Sequence, residues 1–346
     1  MSKVIPNYRT VKELLSNQVF SIDEYQREYK WGKDNIVALV SDLRAKFFSC
    51  YQLGDDTGKV AKYENYFLGS IIVTLRDGRK YLVDGQQRTT SLTLLLIYLY
   101  HAAEAAKLPM VAQLAALIYS DNFGAPAFNL DIPERRPVID ALFHKTPFSA
   151  DGRDESIQNM AARYEDIMQE GLIEELGDAL PHFIYWLMNK VGLIEISTDN
   201  DNYAYAIFET MNDRGKPLSP VDMLKAYLLA PIADEHLRRL ANATWKREVL
   251  ALISTGGELD EKRDSQCMSA WFRAQYAETI RERKAGATDK DWELIATTFH
   301  RWARDNATRL RLGTQDRNLE VINTELPFLP PRISASRLQA PITFRP

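Results

Sequence analysis

The chain has 346 residues, more than one ordinary hydrophobic core holds, so its length predicts two domains or one domain with a helical extension. Hydrophobic residues make up 45% and charged residues 26% of the sequence, a composition typical of globular proteins and not of disordered or fibrous ones. The formal net charge of -4 excludes a polycation, so any contact with nucleic acid needs a local basic face.

Cysteine usage and hydropathy exclude further classes. Cys50 and Cys267 lie far apart and in no metal-ligand spacing, which argues against a disulfide scaffold and a zinc site. Residues 1–10 lack the apolar core of a signal peptide. The longest apolar stretch, 92–100, is far shorter than the roughly 20 residues of a membrane span. We therefore expect a cytoplasmic protein that does not associate with membranes.

The first part of the chain mixes strand and helix patterns. Asp77-Gly78 between two β-like runs is a strong hairpin signal. Periodicity predicts, in chain order, a helix over 8–15, a strand over 18–22, a helix over 35–48, strands over 67–75 and 80–83, and a helix over 89–106.

The rest of the chain is mainly helical. A hairpin is predicted within 115–131 and one further strand over 191–196. Helices are predicted over 157–175, 179–189, 201–212, 220–230, 234–253 and parts of 264–308. We therefore predict an α+β fold, in which a small mixed sheet with helices is followed by a mainly α-helical region. Its expected segments are 1–110, 111–230, 231–317 and an extended or disordered tail over 318–346.

The stretch YLVDGQQRTT, residues 81–90, turns a strand into a helix at Asp84 and Gly85. Backbone N–H groups and the positive helix end meet at such a corner, and glycine lets a ligand approach the backbone. Arg88 could grip a phosphate, and Gln86 or Gln87 could position a ribose, a base or a water molecule.

Asp84 could accept a hydrogen bond from a hydroxyl group or hold a hydrated divalent metal ion. The alternative is purely structural: Asp84 caps the helix, Gly85 makes the turn and Arg88 pairs with a surface acid.

The stretch IDEYQREYKW, residues 22–31, interleaves basic and aromatic side chains. Arg27 and Lys30 alternate with Tyr25, Tyr29 and Trp31, a mixture that suits stacking on a base and gripping a phosphate. The alternative is an aromatic-anchored loop at the edge of the core.

Residues 206–229 contain a break between two helices. Asn212-Asp213-Arg214-Gly215 is typical of a helix end, and Ser219-Pro220-Val221-Asp222 of a new start. Capping explains Ser219 and Asp222 but not Asn212, Arg214 and Lys225, which are the better site candidates.

Several catalytic motifs are absent from the sequence. It contains no GxxxxGK[ST], HExxH, CxxC or GxSxG pattern, which excludes a P-loop and gives no metal-ligand motif. The five histidines, 101, 144, 182, 236 and 300, are scattered. We predict no metal-ligating residues.

Three segments, taken in chain order, resemble the N-terminal domain of the GmrSD type IV restriction endonucleases, also known as domain of unknown function 262. They are residues 22–31, 66–96 and 207–229. The resemblance covers residues 1 to about 230 well and continues more loosely to about 310. That family is similar to ParB and sulfiredoxin in fold, so the resemblance implies a ParB-like nucleotide-binding core over 1–110. It also implies binding and hydrolysis of an NTP with Mg²⁺, used to control restriction of phage DNA that is often modified.

The resemblance assigns roles to matching residues. At the signature corner it implies catalytic roles for Asp84, Gln86, Gln87 and Arg88. The residues that it implies for nucleotide binding are Tyr25, Gln26, Arg27, Gly85, Asn212, Arg214 and Lys225. The chain departs from the family at Thr89, where other members commonly have leucine, and we expect this change to be mild.

A further departure concerns the nuclease. Complete family members carry a C-terminal HNH-type nuclease domain, but the only late histidine here, His300, lies in no ββα-metal pattern. The nuclease half is therefore expected to be absent, to be supplied by a separate polypeptide or to be lost by truncation. We expect an NTPase without DNA endonuclease activity of its own. Its expected partners are DNA, a separate HNH nuclease subunit and further copies of the chain.

Two alternatives stay open. One is a nuclease with an unrecognised metal site. The other is a non-catalytic DNA-binding module that uses basic residues interleaved with tryptophans. These residues are Arg273, Arg281, Arg283, Lys284, Arg301, Arg304, Arg309, Arg311 and Arg317.

Overall fold

The computed structural model describes most of the chain and places it in two compact units. Described residues up to 207 belong to the first unit and those from 219 onward to the second. The described residues are 4–22, 28–76, 78–122, 125–199, 204, 207, 219–253, 263–278, 295 and 299–328. Strands and helices are both present, which confirms the α+β prediction.

A mixed sheet organises the first unit. Its five strands lie in the order β1-β7-β3-β4-β2, in which β3–β7 and β2–β4 pair in parallel and β1–β7 and β3–β4 pair antiparallel. Two further strands, β5 and β6, form the hairpin predicted within 115–131. The strands are β1 Ile5–Thr10, β2 Phe20–Ser21, β3 Tyr66–Arg76, β4 Arg79–Asp84, β5 Tyr119–Asn122, β6 Ala125–Phe128 and β7 Val191–Thr198.

Helices pack against this sheet. They are α1 Val11–Leu15, α2 Lys33–Phe48, α3 Gln86–Ala105, α4 Val111–Ile118, α5 Arg136–His144, α6 Glu155–Gln169, α7 Leu172–Leu176 and α8 Leu180–Lys190. Within α3, four consecutive residues from Leu94 to Ile97 are fully buried. A helix that is apolar all round lies inside a core, and α3 packs against α4 and α6. The N-terminus of α3 is therefore held on a rigid element.

The predicted helix over 8–15 is wrong in its first part. Residues Ile5–Thr10 form strand β1, which pairs with β7, and the helix begins only at Val11. The local cause is a capping box: Thr10 Oγ1 accepts from the Glu13 N–H at 3.2 Å, and the Glu13 carboxylate accepts from the Thr10 N–H at 2.8 Å. The strand was missed because its partner β7 is remote in sequence.

The second unit consists of helices joined by turns and short loops, and its described residues contain no strand. Its helices are α9 Pro220–Leu229, α10 Glu235–Ile253, α11 Arg263–Tyr276, α12 Phe299–Asp305, α13 Ala307–Leu310 and α14 Gln315–Glu320. Ser219 Oγ accepts from the Asp222 N–H at 3.1 Å, which confirms the predicted cap. The predicted helix over 201–212 lies largely outside the described residues.

The extended or disordered tail was predicted to begin at residue 318, but the chain is helical for about ten residues beyond that point. Helical structure continues from α14 through Val321–Glu325 to Leu326–Phe328. The reason is burial: Asn318 is fully buried, donates from Nδ2 to the Leu228 carbonyl at 2.8 Å and accepts from the Gly313 N–H at 3.0 Å. Residues 329–346 lie outside the described part. The other predicted segment boundaries and the likeness to ParB and sulfiredoxin stay predictions.

Among the described residues, no helix combines the length and the apolar character needed to cross a membrane.

Candidate functional site

The corner between β4 and α3 depends on one glycine. Strand β4 ends at Asp84, Gly85 has φ +91° and ψ 5°, and α3 begins at Gln86. A Cβ at position 85 would clash with Ile71 Cγ2 on the neighbouring strand. Both the left-handed backbone and the close approach to β3 therefore require glycine.

The N-terminus of α3 has no side-chain cap. Its N-cap residue is Gly85, so the alternative in which Asp84 caps the helix is wrong. The N–H groups of the first turn thus lie at the positive end of a 20-residue helix and without a capping carboxylate or hydroxyl. Such a terminus suits an anion.

Arg88 carries its charge into this corner without an ion pair. Its Nη1 donates to the Ser70 carbonyl at 2.7 Å, and no carboxylate among the described residues lies within ion-pair distance of the guanidinium. Burial lowers the pKa of Arg88, and the charge of nearby Asp84 partly opposes that shift. Within the described part of the chain, the alternative in which Arg88 pairs with a surface acid is therefore not observed. A partly buried cation of this kind is stabilised when an anion binds.

Asp84 supplies a carboxylate beside that cation. Burial raises the pKa of Asp84, while the Gly85 N–H and the charge of Arg88 act in the opposite direction. The corner therefore combines one acidic and one basic group in a partly desolvated setting, where electrostatic interactions are stronger than in water.

Gln87 joins the second motif to the corner. Its Oε1 accepts from the backbone N–H groups of Lys30 and Trp31 at 2.8 and 3.1 Å, and its Nε2 donates to the Glu28 carbonyl at 2.8 Å. One side chain thus holds three backbone groups of the segment 28–31. The structure brings these two motifs together, although Tyr25, Gln26 and Arg27 lie outside the described residues.

Tyr29 anchors the same segment in the core. The residue is fully buried, its hydroxyl lies 2.7 Å from Ser91 Oγ, and its backbone N–H donates to Ser156 Oγ at 2.7 Å. Asn159 Nδ2 donates to the Tyr29 carbonyl at 2.9 Å. Burial raises the pKa of Tyr29 to about 12, so its hydroxyl stays protonated. For Tyr29 the interpretation as an aromatic anchor is confirmed, because its ring is fully buried.

Sequence reasoning missed some residues of this site. Ser70 binds Arg88 through its carbonyl, which no side-chain pattern reveals. Arg135 is 4% exposed, and its Nη1 lies 3.5 Å from Thr90 Oγ1 on α3. Thr89, the departure from the family pattern, is buried and donates from Oγ1 to the Gly85 carbonyl at 3.0 Å. Its hydroxyl therefore has a hydrogen-bond partner and is compatible with the corner.

The third motif is described only in part. Asn212, Arg214 and Gly215 lie outside the described residues. Lys225 lies on α9 in the second unit and is 6% exposed. The structure therefore leaves the predicted roles of these residues as predictions.

The basic residues of the second unit are partly neutralised by acids. Arg304 pairs with Asp305 at 3.4 Å and Arg309 with Glu278 at 2.5 Å. Arg317 pairs with Glu320 at 2.7 Å and also with Glu325. Arg281, Arg283 and Lys284 lie outside the described residues. The paired arginines favour a solvated helix surface over an exposed basic face.

A cavity of about 640 Å³ lies at the other end of α3. Its lining is mostly apolar, and two of its polar groups already have partners: His101 Nε2 contacts the Leu142 carbonyl at 2.9 Å, and Lys145 lies 3.7 Å from Glu104. The corner, where the guanidinium of Arg88 has no ion pair within the described part of the chain, is therefore the stronger candidate site. No group of three or more His, Cys, Asp or Glu side chains suited to a metal ion occurs in the described residues.

Comparison with known proteins supplies the family. A search of curated proteins found no match to this chain. A family model described as the N-terminal domain of the GmrSD restriction endonuclease matches residues 11–229, which is more than half of the chain and includes all three motifs. The chain therefore belongs to the GmrSD N-terminal domain family, and this membership indicates a role in a type IV restriction system.

Proposed function

We propose that this protein binds and hydrolyses an NTP as a regulatory or sensor component of a cytoplasmic anti-phage restriction system. The observation that carries the proposal is Arg88, a guanidinium without an ion pair among the described residues, next to the uncapped N-terminus of α3. A triphosphate matches this combination, because phosphate oxygens accept from backbone N–H groups and from guanidinium.

Each residue of the corner has a proposed task. Arg88 neutralises charge on the phosphates, and Gly85 lets the phosphates approach the backbone. Gln86 orients the attacking water molecule. Gln87 acts as a positioning residue, because its amide is occupied by the segment 28–31.

The residues present fit Mg²⁺ held mainly by the nucleotide. Mg²⁺ is commonly bound through one or two carboxylates plus substrate phosphates and water, and Asp84 offers one carboxylate at the corner. Asp84 is the residue that would hold the ion, which supplies charge neutralisation at the phosphates. Hydrolysis then depends on positioning by the corner residues.

Release of inorganic phosphate tests the proposal. The purified protein is incubated with ATP, GTP, CTP or UTP and Mg²⁺, alongside Arg88→Ala and the control Arg79→Ala, which removes an exposed arginine from β4. We expect turnover of at least one nucleotide by the wild type and by Arg79→Ala, and its loss in Arg88→Ala. Equal turnover by Arg88→Ala, or no turnover of any of the four nucleotides by the folded wild type, would overturn the proposal.

The proposed partners are phage DNA, a separate HNH nuclease subunit and a second copy of the chain. We propose that the nucleotide state controls contact with DNA. Fluorescence anisotropy with a labelled duplex, with and without nucleotide, measures this coupling across a salt series. Binding that depends on nucleotide and weakens steeply with salt supports it; affinity that is the same in both nucleotide states contradicts it.

A further inference from the structure

Strand β3 contains an irregularity close to the corner. Its register with β7 shifts between Phe67 and Gly69, so one residue bulges out of the ladder. Gly69 has φ +118°, a backbone conformation that residues other than glycine rarely adopt. A glycine inside a strand often marks such a bulge or the close approach of another group.

The group that approaches Gly69 is the guanidinium of Arg88. A Cβ at position 69 would lie 2.8 Å from Arg88 Cζ, 3.0 Å from Nη2 and 3.1 Å from Nη1. These nearly equal distances place the flat face of the guanidinium over the glycine. The space that a side chain would fill is therefore taken by the charged end of Arg88.

The next residue completes the support. The Ser70 carbonyl accepts from Arg88 Nη1 at 2.7 Å. At the bulge, the backbone of Gly69 thus packs against the face of the guanidinium, and the hydrogen bond to the Ser70 carbonyl fixes the orientation of the guanidinium. A guanidinium has five N–H donors in one plane, so most of them stay available at its edges.

We propose that Gly69 is a positioning residue for phosphate binding, which it supports by holding the guanidinium of Arg88 against the bulge of β3. This inference rests on the proposed function. It goes further in assigning a role to Gly69, for which the family resemblance implies none. A substitution at Gly69 acts on phosphate affinity through Arg88, although residue 69 itself offers no donor.

Three variants separate this role from a general effect on folding. Gly69→Ala introduces the clash with Arg88. Gly54→Ala is the matched control, because Gly54 also has positive φ, +90°, but nothing lies within 4 Å of a Cβ there. Gly69→Ala combined with Arg88→Lys replaces the flat guanidinium with a slimmer amine and keeps the positive charge.

Calorimetric titration of the full chain with ATP, GTP, CTP and UTP in Mg²⁺ is the test, with thermal unfolding as the check on folding. We expect Gly69→Ala to weaken binding of the preferred nucleotide by at least about tenfold, the loss typical of a disturbed charged hydrogen bond. Gly54→Ala is expected to bind like the wild type. The double variant is expected to bind more tightly than Gly69→Ala alone.

The outcomes separate the inference from the proposed function. If the wild type binds a nucleotide and Gly69→Ala binds it equally well, the inference is wrong and the proposed function stands. A double variant weaker than Gly69→Ala also overturns the inference, because the two changes then damage the site independently. If the folded wild type binds none of the four nucleotides, the proposed function itself is wrong.

Discussion

At the scale of one residue, Arg88 places a positive charge where it lowers the stability of the folded protein but suits the proposed binding of phosphate. Arg88 is partly buried and has no ion pair among the described residues, which is unfavourable, and the hydrogen bond to Ser70 offsets only part of that cost. The charge is therefore better explained by binding of an anion than by stability. Sequence alone revealed Arg88 as a candidate, but its partner is a backbone carbonyl, which no residue pattern encodes.

Replacement of Arg88 by methionine tests this balance. Because an apolar side chain of similar length removes the buried charge, we expect the free energy of unfolding without nucleotide to stay within about 1 kcal/mol of the wild type. Urea denaturation measures it. Thermal unfolding with added nucleotide should show a stabilisation in the wild type that is absent in Arg88→Met. A destabilisation of several kcal/mol would mean that Arg88 is mainly structural.

The raised pKa of Asp84 predicts that the stability of the folded protein depends on pH. Its pKa is raised above the ordinary 3.8 in the folded protein, so the folded state binds its proton more tightly than the unfolded state. This contribution to stability is fully present below the unfolded pKa and is lost as pH rises through the folded pKa. We therefore expect Asp84→Asn to gain stability relative to the wild type as pH rises from about 4 to 7.

Urea denaturation at intervals across that range measures the difference in the free energy of unfolding between Asp84→Asn and the wild type. The difference should grow with pH and level off once the carboxyl is ionised. A difference that shrinks with rising pH would show that Arg88 and the Gly85 N–H outweigh burial.

At the scale of elements, the strand-to-helix corner and the segment 28–31 act as one unit. Local signals predicted the β3–β4 hairpin and helix α3, because turn chemistry and an apolar run are both visible in sequence. The link through Gln87 could not be predicted, since it joins a side chain to backbone groups of a distant segment. Strand β1 was missed for the same reason: its pairing with β7 is non-local.

Gly85→Ala tests the corner. A Cβ there clashes with Ile71, and alanine has to adopt the left-handed backbone of Gly85, so we expect a loss of about 2–4 kcal/mol in the free energy of unfolding. The control is Gly78→Ala, in which φ is +75° but nothing lies within 4 Å of the new Cβ. Its expected loss is about 1 kcal/mol. Urea denaturation measures the free energy of unfolding of both variants. Equal losses would show that the clash with Ile71 does not contribute to the requirement for glycine at position 85.

Gln87→Ala tests the link between the two motifs. Without the amide, the N–H groups of Lys30 and Trp31 lose their acceptor, so their hydrogen exchange should accelerate about tenfold or more. The amides of α2 serve as the internal control, since their bonds do not involve Gln87. Unchanged exchange at residues 30 and 31 would show that Tyr29 and its partners hold the segment alone.

At the scale of the whole molecule, the chain consists of two units, and the sequence predicts the structure of the first unit more completely than that of the second. The family and the α+β class follow from ordered motifs and periodicity, and both are confirmed. The helical continuation to Phe328 was missed, because burial of Asn318 depends on a carbonyl in α9. The central claim concerns the first unit, in which the corner of β4 and α3 offers a site for phosphates.

Nucleotide binding tests that claim most directly. The full chain is titrated by calorimetry with each of the four NTPs in Mg²⁺, together with Arg88→Ala and Arg79→Ala. The account predicts saturable binding of at least one NTP by the wild type and by Arg79→Ala, and its loss in a folded Arg88→Ala. Absence of binding by the folded wild type, or undiminished binding by Arg88→Ala, would contradict it.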